Sequence, residues 1–214
     1  MFGPKNFARY SPRVRKQRTS PDRALERLKD GNARFLSGKN VHCDLRAQVR
    51  ETAKDQAPFA AVLGYMDSRV PPALVFDQRL SIIFFVRITG NFFNNDILGS
   101  LEYATQVAGA KLIVVLGHSD CGAVKGAVDN VKLGSLTATL ANIRPAVVET
   151  TGVEGKRTSK NKLFVQSVAD CNSKDAAAML ISRSSVIASL VEEQKLKIVS
   201  AMHNVGSGAV TWLS

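Results

Sequence analysis

The stretch "KLIVVLGHSDCGAVKGA", residues 111–127, decides the fold. It opens on an unbroken apolar run that closes with Gly117 and His118. A run this short and this continuous fits a strand buried on both faces of a parallel sheet, because a half-exposed strand would alternate. From Cys121 the residues are small or apolar and begin a helix. A strand is thus followed at once by a helix, with only Ser119 and Asp120 between His118 and Cys121.

The same reading extends outward in both directions. "FAAVLGY" (59–65) and "IIFFVRI" (82–88) are two further buried strands, "KIVSAM" (197–202) is a fourth, and "AVTWL" (209–213) is an edge strand. Ser20-Pro21-Asp22 marks a helix start, with a capping hydroxyl, a proline in the first turn and an acid beside it. That helix carries Ala24, Leu25, Leu28, Phe35 and Leu36 on one stripe and ends at Gly38. Residues 44–56 read as a polar helix, and 96–110 as a helix with Leu98, Leu101, Ala104 and Val107 on one face. A long helical region, 135–193, is interrupted by a polar break at 151–161. Strands alternating with helices give an α/β fold: a mainly parallel central sheet flanked by helices, with an N-terminal helical arm. Residues 1–19 are expected to be a flexible basic arm, and 20–214 a single domain.

Composition limits the function classes. The 214 residues are 45% hydrophobic, enough for one sizeable core. No stretch is long and apolar enough to span a bilayer, and no apolar segment follows the N-terminal basic residues, so a cytoplasmic protein is expected. The acid-free opening "MFGPKNFARYSPRVRKQRTS" has the Arg and Ser of an organelle transit peptide without a clear amphipathic pattern. Three cysteines, at 43, 121 and 171, are too few and too scattered for a disulfide framework. The formal charge of +11 is concentrated: Lys5, Arg9, Arg13, Arg15, Lys16, Arg18 and Arg23 stand against Asp22 alone in the first 23 residues. A second basic run is "GKRTSKNK" (155–162). Neither run comes with a nucleic-acid motif or interleaved aromatics, so a solvated arm and loop are the expectation; a basic binding module on a scaffold fold is the alternative.

In open α/β sheets, ligands sit beyond the carboxyl ends of the strands. Two strands here end in reactive residues. One runs into "LGYMDSRVPP" (63–72), which carries Tyr65, Asp67, Ser68 and Arg69; the other runs into His118-Ser119-Asp120-Cys121. If the two strands are neighbours, their loops face each other. His118 and Cys121 are an H-x-x-C pair able to hold zinc, or unrelated loop residues. Asp67 and Arg69 are either an ion pair pinning a loop, or a carboxylate held ionised for a metal or a metal-bound hydroxide.

"GYMDSRVPP", "VRITGN", "LGSLEYA" and "IVVLGHSDCGAVKGA", in this order and spacing, resemble the β-class carbonic anhydrases, and the resemblance runs from "ALERLKDGNARFLSGK" to "LVEEQKLKIVSAM". In that family the motifs are C-x-D-S-R and H-x-x-C. Zinc is held by the first Cys, the His and the last Cys, with water or the Asp in the fourth position. The resemblance implies that His118 and Cys121 are metal ligands, that Asp67 paired with Arg69 orients the hydroxide, and that Ser68, Gly90 and Gly122 shape the site. It implies CO2 and bicarbonate as substrate and product, zinc as cofactor, and a homodimer or dimer of dimers. Two departures stand out. Tyr65 falls on the first zinc-binding cysteine, and "DQRLSII" (77–83) replaces a segment usually bearing glycines. With one ligand gone, Asp67 can complete the set only by giving up its orienting role, and Tyr65 can bind only as a costly phenolate. Cys43 is a remote substitute ligand, and His203 a distant candidate for moving a proton. The expectation is a zinc-poor protein with weak or no CO2 hydration, acting through binding or assembly beside an active relative. The alternative is an active enzyme with an altered ligand set.

Overall fold

The computed structural model describes residues 13–14, 19–41 and 44–213. Most of the 1–19 arm, and Cys43, lie outside the described residues. In chain order the elements are β1 (Arg13–Val14), α1 (Pro21–Leu36), α2 (Leu45–Thr52), β2 (Asp55–Gln56), β3 (Ala60–Gly64), α3 (Pro72–Val75), β4 (Ile83–Arg87) and α4 (Asn95–Glu102), which runs into a π-helical turn, Tyr103–Val107. Then follow β5 (Leu112–His118), α5 (Gly122–Val128), α6 (Leu136–Ala141), α7 (Arg144–Glu149), α8 (Lys162–Arg183), α9 (Ser185–Glu192), β6 (Lys197–His203) and β7 (Val210–Trp212). Strand order in the main sheet is β4-β3-β5-β6-β7. All pairings are parallel except β6 with β7. The structure is the α/β fold with a mainly parallel sheet that the alternation of elements predicts.

The two central strands, β3 and β5, are buried throughout, which is why both read as continuous apolar runs. Their side chains alternate between two layers. Ala60, Val62, Leu112, Val114 and Leu116 face Leu28 of α1 with Phe59 and Phe76. Ala61, Leu63, Ile113 and Val115 face Leu98, Leu101, Leu180 and Ile187 of the helices on the other side.

Several boundaries differ from expectation, each for a local reason. "IIFFVRI" reads as a buried strand, but β4 lies at the sheet edge, so Phe85 and Arg87 are exposed. Position in the sheet, rather than the run itself, sets that burial. The polar helix 44–56 ends at Thr52, because Asp55–Gln56 pairs in parallel with Arg13–Val14. The 135–193 region breaks into four helices. Ser184 leaves the helical backbone with φ −128°, caps α9 by accepting from the Ile187 N–H at 3.1 Å, and donates to Glu102 at 2.6 Å. In the 155–162 run, Arg157 remains exposed but is tied to the helices beneath: its guanidinium donates to the Val147 and Thr150 carbonyls and lies 4.7 Å from the Phe164 ring centroid. This one arginine has a structural role within a largely exposed run.

The 77–83 departure is also explained. Asp77 and Ser81 have φ of 46° and 71°, a left-handed backbone that favours glycine. Side-chain bonds hold these residues in it. Asp77 accepts from Arg34 Nε at 2.6 Å and from the Val41 N–H at 3.1 Å, and Ser81 accepts from the Ala57 N–H at 3.2 Å.

Helix α1 docks by its smallest residue. A Cβ on Gly31 would stand 1.9 Å from the Phe76 carbonyl oxygen, a backbone atom that cannot swing aside. Gly31→Ala should therefore destabilise: overpacking costs about 1–3 kcal/mol, against a helix-propensity gain of about 1 kcal/mol. Thermal unfolding should show the melting point falling by a few degrees, at roughly 2–4 °C per kcal/mol. A rise would show that α1 slides without cost.

Candidate metal centre

Because β3 and β5 are hydrogen-bonded neighbours, the loops after Gly64 and His118 lie side by side, as their reactive residues require. Gly117 permits the close packing beneath: a Cβ there would meet Met202 Sδ at 2.4 Å and Ser173 Oγ at 2.5 Å. Gly90 has φ +95°, and a Cβ on it would reach Ile143 Cδ1 at 2.9 Å. Its carbonyl accepts from Asn172 at 2.8 Å, which fixes the turn after β4. Gly122, at the start of α5, is open, with no atom within 4 Å of an added Cβ. Ser68 is exposed.

Asp67 and Arg69 form a close pair. Arg69 Nε donates to Oδ1 at 3.0 Å, Nη2 to Oδ2 at 2.7 Å, and the Arg69 N–H to Oδ1 at 2.8 Å. These bonds hold the Asp67 carboxyl well below the usual carboxylate range, outweighing its partial burial. A depressed folded pKa adds stability that is complete above the unfolded value, near pH 4, and is lost as pH falls below it. Half of the Arg69 side chain is exposed, so the effect is modest. Melting points followed from about pH 5 to pH 2 should fall more steeply for the natural protein than for Asp67→Asn; parallel curves would show that the pair contributes nothing.

The loop bearing the pair is itself gripped. Arg87, at the end of β4, donates from Nε to the Tyr65 carbonyl at 3.1 Å and from Nη2 to the Asp67 carbonyl. The sequence reading assigned Arg87 no role. Its signal was a lone arginine closing an apolar strand.

His118 is 1% exposed, and its Nδ1 lies 2.9 Å from the Ser119 carbonyl oxygen. A carbonyl only accepts, so Nδ1 carries the proton and Nε2 presents a lone pair. Nε2 faces Asp67 Oδ2 at 3.8 Å and has no hydrogen-bond partner. Burial lowers the His118 pKa, partly offset by the Ser119 carbonyl and the Asp67 charge. This is a tautomer and orientation suited to a metal.

The rest of the donor set does not match it. The Tyr65 hydroxyl neighbours Cys121, the Thr89 side chain and the Ala123 N–H, and the Tyr65 ring lies tilted at 59° with its centroid 4.8 Å from that of His118. Burial, with the neighbouring Cys121, pushes the Tyr65 pKa up to about 12, which opposes a phenolate ligand. Burial also raises the Cys121 thiol, against the lowering influence of the Val124 and Ala123 N–H groups and Tyr65. The family's set of two cysteines and a histidine is therefore one thiol short here: a phenol stands at the first corner, beside the Cys121 thiol and against the His118 ring.

His203 is a neighbour that sequence reading placed far away. It ends β6 in register with His118 on β5, and both its ring nitrogens are buried without a partner. Elsewhere, Glu149, Cys171 and Asp175 bring three donor atoms within 4.8 Å of one another, the one such set among the described residues. Burial and Asp175 push the Cys171 thiol up to about 11, and it donates to Asp175 at 3.3 Å.

The family model for carbonic anhydrase matches residues 60–210. Carbonic anhydrase 2 of Mycobacterium tuberculosis (strain H37Rv) is 34% identical over 191 residues, 89% of this chain and 91% of that protein. A carbonic anhydrase of Mycolicibacterium smegmatis is 33% identical over 193 residues, covering 90% and 93%. Among solved structures, a Coccomyxa β-carbonic anhydrase in complex with acetazolamide superposes with a TM-score of 0.69 at 22% identity, over 88% of this chain and 86% of that one. A tetrameric β-carbonic anhydrase from Sordaria macrospora gives 0.67 at 21%, over 79% and 90%. The chain belongs to the β-class carbonic anhydrase family. Among the described residues, no helix is long and apolar enough to cross a membrane.

Proposed function

We propose that this chain is a carbonic anhydrase homologue that does not hold zinc in the family's manner and hydrates CO2 weakly or not at all. One observation carries this reading: Tyr65 fills the first-ligand corner, with its hydroxyl beside Cys121 and its ring against His118. The chain then acts through binding and assembly. A homo-oligomer agrees with the tetrameric Sordaria relative; assembly beside an active relative is the further step of the same reading. Residues 20–214 act as one domain in this account.

Metal analysis of the purified protein, with CO2 hydration followed at saturating added zinc, tests the proposal. The expected result is far less than one equivalent of zinc and no rate above buffer. A full equivalent bound through His118 and Cys121 would overturn it. The second reading, an active enzyme with an altered ligand set, draws support from the intact Asp67–Arg69 pair and the free lone pair of His118 Nε2. A hydration rate well above buffer would establish it.

A further inference from the structure

Two helices bring three metal-binding side chains together away from the strand ends. Cys171 and Asp175 stand one turn apart on one face of α8, and Glu149 ends α7, which packs against α8. The Cys171 sulfur lies 3.3 Å from Asp175 Oδ2 and 4.0 Å from Glu149 Oε2. One donor atom from each of the three residues falls within 4.8 Å of the other two. Like charges brought this close repel, yet neither carboxylate forms an ion pair among the described residues. The chain has 29 lysines and arginines, so the want of a cation is particular to this place. Asp175 also lines a cavity of about 230 Å³ with Phe93, Asn172, Met179 and Arg183, which leaves room for water beside its carboxylate.

We propose that Glu149, Cys171 and Asp175 form a metal site of their own, which takes a divalent thiophilic ion of the zinc and cadmium class. Donors about 2.0–2.3 Å from a tetrahedral zinc-like ion stand roughly 3.3–3.8 Å from one another. The 3.3 and 4.0 Å from the sulfur to the two carboxylates bracket that spacing, so closing on an ion needs only small side-chain shifts. The thiolate selects such ions over calcium and magnesium, which prefer a shell of oxygens. On binding, the Cys171 proton leaves to solvent and the ion takes its place between sulfur and carboxylates, with water in the fourth position. The thiol pKa of about 11 makes the ion compete with a firmly held proton at neutral pH. The site therefore exchanges its ion readily, and the purified protein still carries little metal. It shares no residue with the family's motifs and does not depend on position 65.

The test is a Cd2+ titration of the full-length, chelator-treated Cys121→Ser protein, read by ultraviolet thiolate-to-cadmium charge transfer. That background removes the thiol of the family's corner. One equivalent of Cd2+ should develop the band, and adding Cys171→Ser should abolish it. Adding Glu149→Gln or Asp175→Asn should weaken binding by about tenfold or more, the loss that even a group supporting a ligand commands. No band in Cys121→Ser, or a band that survives Cys171→Ser, would overturn the inference. Affinity within about twofold in either carboxylate variant would overturn it too, by reducing the site to a lone thiol. Should a variant fail to fold, the natural protein carries its own readout: saturating Cd2+ should protect Cys171 from iodoacetamide, located by peptide mass spectrometry. Unchanged alkylation of Cys171 would count against the site as firmly. The proposed function stands under each of these outcomes, since it concerns Tyr65, His118 and Cys121.

Discussion

Tyr65→Cys is expected to raise bound zinc to a full equivalent and CO2 hydration by roughly a hundredfold or more. The substitution supplies a third protein donor, removes the ring lying against His118, and frees Cys121 from the neighbouring hydroxyl. Zinc held there would supply a bound water that ionises near neutral pH, where bulk water does not. The residues that must cooperate are already placed: His118 presents Nε2, and Arg69 holds Asp67 ionised. Tyr65→Phe is the control for volume. It deletes the hydroxyl but keeps the ring, and should remain zinc-poor. A zinc-free Tyr65→Cys with intact thiols would put the defect elsewhere, first in the 77–83 segment, whose glycine-like backbone is held by Asp77 and Ser81.

The largest expected loss of stability is at Asn32, which is 5% exposed on α1. Its Nδ2 donates to the Val75 and Gly208 carbonyls, each at 3.0 Å, and its Oδ1 accepts from the Val210 N–H at 3.0 Å. One side chain thus joins the N-terminal helix to the end of α3 and to the turn leading into β7. Asn32→Ala would strand three backbone groups. At about 1 kcal/mol or more each, the cost is roughly 3 kcal/mol. Asn32→Asp keeps the acceptor but puts a carboxylate oxygen against two carbonyls, so it should be no better. Urea unfolding should show the midpoint falling with an unchanged slope. A loss under about 1 kcal/mol would mean that water replaces the amide.

Sequence reading found the sheet's interior because β3 and β5 are buried on both faces and have no polar residue to break the pattern. It could not place β4 at the edge, since strand order is a long-range property that a run of Ile and Phe does not encode. The helical breaks at 142–143 and 184 were missed because Ser184 reads as an ordinary helix residue until its hydroxyl is seen capping the next helix. At the site, the motifs brought Asp67, Arg69, His118 and Cys121 to one cleft, but the displacement by Tyr65 came from family resemblance and would not follow from spacing. His203 lay one residue beyond the expected strand. Its alternation with Val199 and Ala201 was the available signal, and it goes unused when a strand is ended too early.

Ser119 has a consequence for how position 65 is free to change. Its N–H donates to the His203 carbonyl at 2.9 Å, its hydroxyl accepts from the Val205 N–H at 3.1 Å, and its carbonyl accepts from His118 Nδ1–H at 2.9 Å. The chain makes each of these bonds from its own atoms, so the imidazole is aimed before any ion arrives. A ligand adds to fold stability only in proportion to ln(1 + [L]/Kd), and a site laced in this way forfeits that increment without coming apart. Fold stability therefore depends on the first metal corner only through that increment, and a substitution at position 65 leaves the bonds that aim His118 in place.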